Sequence, residues 1–270
     1  MANGLTLRRN VEALQRITGA LDPVRDAYAK MQALTGTDNR SWIHWAGLHG
    51  FPQFMCWHHG RVGMGQQRPY DLFLPWHRAY LLYFEHTAKD QNAQASIPWW
   101  DWSSALSRRV GLPKSFTGAR AGANRNPLRD GPVPPIPPAP ARSTVRFPGR
   151  PANLPSPARV NAVLALNQYV DFSNQLQDIH DSIHGWAGGR NPARPTQGGD
   201  MGAVATSAFD PIFWSHHCMI DRLWYLWQLR HGESNIPPDY LDKPLAPFAL
   251  NVKDVLNINT LGYEYAGAST

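Results

Sequence analysis

A mainly α-helical fold with long, irregular, proline-rich connections is what this sequence of 270 residues predicts. Three observations carry it. The stretch FDPIFWSHHCMIDRLWYLWQ, residues 209–228, combines helix start signals with apolar residues at helical spacing. Three other segments repeat its arrangement, each setting histidine into an apolar helix face. Residues 103–160, by contrast, are broken by proline and hold ten basic residues against one acid, Asp130.

Taken in order, residues 5–34 read as one or two amphipathic helices. Their core positions are Leu14, Ile17 and Leu21, then Ala27, Tyr28, Met31 and Leu34. A turn at Gly36 to Asn39 leads into NRSWIHWAGLHGFP, where Trp42, Trp45 and His49 share a face before Gly50 and Pro52 end the helix. The Gly- and Pro-rich GFPQFMCWHHGRVGMGQQRPYDL reads as a long loop carrying Cys56, His58 and His59. In LFLPWHRAYLLYFE, Pro75 can open a helix aligning His77, Leu81, Phe84 and Ala88, and Ile97 to Trp102 follows as extended chain. Residues 103–160 read as a solvated linker, polyproline II in part around VPPIPPAPA, with a docking surface for an acidic partner as the other reading. In QLQDIHDSIHGW, His180 and His184 stand four apart and project from one face, one turn after Leu176. A glycine-containing loop reaches Ala208. Then Asp210 and Pro211 supply an N-cap and first-turn proline, Phe213, His217, Ile220, Trp224 and Trp227 form one face, and Gly232 offers a stop. Beyond it the Pro-punctuated tail reads as short strands packing back on the helices.

The length suits one large domain with a substantial core, and eleven Trp, ten Phe and nine Tyr supply its bulk. No apolar run is long enough to span a membrane. MANGLTLRRNVEAL has no apolar signal-peptide region, which reads as a cytoplasmic protein or one exported with a partner. Two cysteines, Cys56 and Cys218, are too few for a disulfide framework. The formal charge of +6 comes without a nucleic-acid-binding motif, so no nucleic acid is expected.

One histidine on a helix face is ordinarily a hydrogen-bonded core residue. Four helices that each bury imidazole hold too much of it for packing alone, because an unpaired buried polar ring is costly and a metal-bound one is satisfied. Neutral imidazole suits zinc, copper, iron and nickel alike, so the count does not name the metal.

DPIFWSHHCMIDRLWYLWQ, the HxxxH before it, and LPWHRAYLLYFE followed by IPWWDW resemble the type-3 copper proteins, that is tyrosinases, catechol oxidases and molluscan haemocyanins. The resemblance spans about residues 40–102 and 165–231, in the family's order. It implies a single domain, a four-helix bundle holding two copper ions through three histidines each. The second copper would take His180, His184 and His217, with His216 beside them and Asp221 placed to orient a ring or a neighbouring helix. The first would take His77, His49 and, from a CxH pattern, His58, whose ring would be bonded to the sulfur of Cys56. His59 is the rival for that place, while the position used in compact members is Arg68. His44, His86 and His231 match no ligand position.

The activity implied is oxidation of o-diphenols to o-quinones by dioxygen, with monophenols as further substrates. Monophenol oxidation in the family is attributed to a water held by a Glu and an Asn, and here those positions read Gln177 and Asp181. Asp181 could itself act as base or could bind its own histidine. Val204 would line the entrance. The alternatives are an o-aminophenol oxidase with the same site and, more distantly, a haemocyanin-like oxygen carrier. A zinc hydrolase lacks its glutamate in HDSIH. Related bacterial enzymes travel with a helper protein that loads copper, and the basic stretch would be its docking site.

Overall fold

Helix boundaries fall where the caps put them. In the computed structural model, which describes residues 4–50, 61–62, 66–67 and 71–267, the last long helix runs Pro211–His231. The Asp210 carboxylate caps it by accepting from Ile212 N, and Gly232 ends it with φ of 81°. Four helices of twelve residues or more build the core: Asp22–Ala33, Phe73–Gln91, Tyr169–Gly188 and Pro211–His231. The mainly α-helical expectation holds. Strand is limited to short two-stranded pairs among the described residues, including a parallel pair between Thr6–Arg8 and Tyr263–Tyr265.

Three details depart from the periodicity reading. The short helix Trp42–Gly47 stops before His49, which sits in the turn that follows. Ile17, expected in the core, is exposed, because only a four-residue helix, Val11–Leu14, forms before the Asp22–Ala33 helix. The Phe73–Gln91 helix starts two residues before Pro75, and its side chains from Phe73 to Leu82 are all buried. A narrow apolar stripe describes a surface helix, whereas this one is central and packs on every side.

Its polar residues are consequently paired. Arg78, adjacent to His77, donates Nε to Asp221 at 2.5 Å and Nη1 to Gln228 and the Val255 carbonyl at 3.0 Å, with its guanidinium 3.6 Å over the Trp224 ring. Arg8 donates to Glu85 at 3.0 Å, to Asp221 at 3.2 Å and to Tyr265 Oη at 3.0 Å, with its guanidinium 3.6 Å over the Tyr263 ring. Asp221 thus ties the His217 helix to the His77 helix and to both ends of the described chain. Phe84 stacks on Trp214 between the same two helices at 3.4 Å, a contact worth about 0.5–1.5 kcal/mol beyond its burial.

The segment 103–160 is irregular, as expected, but is not a solvated linker. Phe116, Leu128 and Val133 lie in the core. Arg146 reaches the buried Asp210 carboxylate at 2.7–2.8 Å, and Arg142 grips the buried Asp200 through two bonds. Most of its basic side chains stay exposed, but these two pin the segment to buried acids of the later chain. Composition reads such a tract as surface because it counts arginines and cannot see their buried acids in a later part of the chain. Among the described residues no helix is long and apolar enough to cross a membrane.

Candidate metal centre

Each histidine is set by a different local device. His77 lies one turn inside its helix, and its Nδ1 donates to the Phe73 carbonyl at 2.8 Å. His180 and His184 leave the Tyr169–Gly188 helix on one face. His184 Nδ1 donates to the Met201 carbonyl at 2.7 Å, and His180 Nδ1 to the Asp181 carboxylate at 2.8 Å. His49 Nδ1 donates to the Val204 carbonyl at 3.1 Å. A carbonyl or carboxylate can only accept, so the proton of each of these four rings sits on Nδ1 and the lone pair on Nε2. This is how outer-shell groups commonly prepare a histidine for a metal.

The prepared nitrogens converge. His217 Nε2 lies 3.2 Å from His180 Nε2 and 3.4 Å from His184 Nε2. Two metal–nitrogen bonds of about 2.0–2.1 Å at a tetrahedral angle put their nitrogens about 3.3 Å apart. The spacing fits one ion among these three rings. On the other side His49, His77 and His217 bring one nitrogen each within 4.8 Å of one another, while the rings of His77 and His217 stack at 4.4 Å. The two half-sites therefore face each other across His217. Phe73 touches both, with centroids 4.9 Å from His77 and 4.9 Å from His180, and Phe213 packs at 4.1 Å on His217 and 4.7 Å on His49.

Burial keeps His49, His77, His184 and His217 neutral, as a metal requires. It pushes His77 down to about 3 and His184 to about 4, and holds His49 and His217 well below the ordinary histidine value, with neighbouring imidazoles adding to it. Of the five rings only His184 is partly exposed, so solvent approaches from its side. There Val204 is half exposed and the Asp181 side chain lies 52% open, while Gln177, one turn earlier, is fully buried.

The structure thus brings together five of the six expected ligand positions, and Cys56, His58 and His59 lie outside the described residues. Sequence reasoning missed the backbone anchors. The carbonyls of Phe73, Met201 and Val204 orient three rings, and no letter in the sequence marks a carbonyl. Met201 is held in turn by the Asp200–Gly202 turn, which Arg142 and the Val145 amide secure through Asp200. The resemblance sets His216 beside the ligands, and it lies inside the cluster, one of its nitrogens within 4.8 Å of nitrogens of His180, His184 and His217.

The family model for the common central domain of tyrosinase matches residues 39–230. The tyrosinase of Streptomyces lincolnensis is 34% identical over 190 residues, which is 59% of this chain and 63% of that protein, so the match falls short of two thirds of the relative's own length. Units G and H of a Sepia officinalis haemocyanin are 27% identical over 286 residues, 96% of this chain and 46% of theirs. Among solved structures, a tyrosinase from Burkholderia thailandensis superposes with a TM-score of 0.83 over 99% of this chain and 75% of its own, a likeness of fold at 24% identity.

Proposed function

The chain belongs to the tyrosinase family of type-3 copper proteins, whose central domain it carries over residues 39–230, and on that premise we propose that it is a dioxygen-dependent oxidase of o-diphenols. The family's cofactor is a pair of copper ions. In this reading His180, His184 and His217 hold one, and His49 and His77 hold the other with a third donor from residues 51–60. The observation that carries it is the set of buried imidazoles whose Nδ1 protons are pinned outward and whose Nε2 atoms converge.

Copper, when bound, would relay electrons from the phenol to dioxygen. Two o-diphenols each give up two electrons and two protons, one dioxygen takes all four of each, and the products are two o-quinones and two waters. The protein's residues hold ring geometry and keep water out with Phe73 and Phe213. They admit substrate on the side of His184 and Val204.

The same geometry supports a narrower choice of substrate. The Asp181 carboxylate is engaged with His180 Nδ1, and Gln177 offers an amide where a carboxylate would serve as base. In this reading neither group serves as the base for the proton of a monophenol. An o-diphenol needs no prior hydroxylation and is the expected substrate, and o-aminophenols, which undergo the same two-electron step, belong in the same panel. Catechol turnover is expected to exceed that of tyramine or p-cresol by at least about tenfold, the low end of what a positioned acid–base group contributes being about a hundredfold. Asp181→Asn should leave that preference in place. Brisk monophenol turnover that collapses in Asp181→Asn would make Asp181 the base.

For the third donor of the first half-site we propose His58, tied by a thioether to Cys56. Such a bond holds one ring orientation and removes a thiol open to oxidation. The copper-loaded chain should weigh two hydrogens less than its sequence requires. A Cys56 that alkylates freely in active protein would reject the bond and favour His59.

A further inference from the structure

The proposed function leaves His216 unused. Its ring is fully buried on the His217 helix, and neither Nδ1 nor Nε2 has a hydrogen-bond partner. Whichever nitrogen carries the proton, one donor and one acceptor stay unmet, an arrangement native interiors rarely tolerate without a reason. The ring stacks on His180 at 5.1 Å and 22°, stands edge-on to His184 at 5.0 Å, and lies 6.4 Å from Trp102. One of its unmet nitrogens therefore faces the same space as those of the second half-site, where one nitrogen each of His180, His184, His216 and His217 lies within 4.8 Å of the others.

Resting on the copper reading, we propose that the first metal ion to enter the copper-free chain is captured by four imidazoles, those of His180, His184, His216 and His217. Four neutral nitrogens would complete a four-coordinate shell, which suits an ion to be retained. A catalytic ion needs a position left open. The four-imidazole state is therefore a loading state. In it His217 is committed to one side of the pair, which leaves His49 and His77 for the ion that follows. In the working centre three rings remain on the captured ion and His216 gives up its place.

The test uses the full copper-free chain with one equivalent of copper(II). Pulsed electron paramagnetic resonance should count four imidazole nitrogens on that ion in the wild type and three in His216→Leu, a change to an apolar side chain suited to a buried site. Competition with a chelator should show the first equivalent bound at least about tenfold more weakly in His216→Leu, with the second equivalent unchanged. Three nitrogens in the wild type would overturn the proposal whether or not the variant folds, as would an unchanged first affinity in a folded variant. A wild-type chain that takes up no copper would overturn the proposed function along with it, whereas two bound coppers with no role for His216 would leave that function standing.

Discussion

Replacing His217 by alanine is expected to strip copper from both half-sites and reduce catechol oxidation to background. His217 is the one ring common to the two groups, its Nε2 within 3.4 Å of two partners on one side and its plane stacked on His77 on the other. Loss of an outer-shell partner to a metal-bound histidine typically costs 10–100-fold in affinity or activity. Loss of the ring itself should exceed that range. The chain should still fold, because Phe213, Ile220 and Trp224 keep the helix buried without it. Metal analysis, catechol turnover and a thermal melt on one preparation check all three statements. Copper content near the wild-type value would mean that the convergence on His217 is packing.

Asp221→Ala is expected to unfold the protein or bring it to the edge of unfolding. It would leave the guanidiniums of Arg8 and Arg78, both fully buried, without the carboxylate they share. Breaking a buried ion pair from one side costs about 3–5 kcal/mol, against a total stability of about 5–15 kcal/mol for a typical domain. The Tyr263 hydroxyl would lose its acceptor as well, and that of Tyr265 would keep only the Cys218 carbonyl. Denaturant titration of Asp221→Ala beside Asp221→Asn, which keeps shape and one acceptor, measures the charge term. The pH dependence follows with its sign. Burial works against ionisation of Asp221, but Arg78 and Arg8 prevail and hold its carboxyl below the ordinary value. Its stabilising contribution is therefore complete above the ordinary carboxylate range and is lost only as pH falls through the lower native value. Wild-type stability should be flat near neutrality in this respect and fall in acid. A variant within about 1 kcal/mol of wild type would show that the network is dispensable.

Much of this was legible in the sequence, and the reasons differ from part to part. The His217 helix could be read to the residue at both ends, because Asp210, Pro211 and Gly232 act through local backbone chemistry. His180 and His184 were readable as a pair because spacing of four fixes a shared face. His49 was assigned its role although its helix ends too early to carry it. What holds that ring is the Val204 carbonyl, 155 residues away in sequence. The anchoring of 103–160 is hidden for the same reason. Arg142 and Arg146 look like solvated charge until Asp200 and Asp210 arrive from the second half of the chain. Asp181 stood in the sequence as two opposed roles. Only the distance to His180 Nδ1 favours one of them.

The central claim, a paired copper centre that handles dioxygen, is tested most directly on purified chain reconstituted with copper and then reduced. Metal analysis should give two coppers per chain, and exposure to dioxygen should raise an intense near-ultraviolet absorption band that the copper-free chain and His217→Ala both lack. A single tightly held zinc, with neither copper uptake nor an oxygen-dependent band, would contradict it.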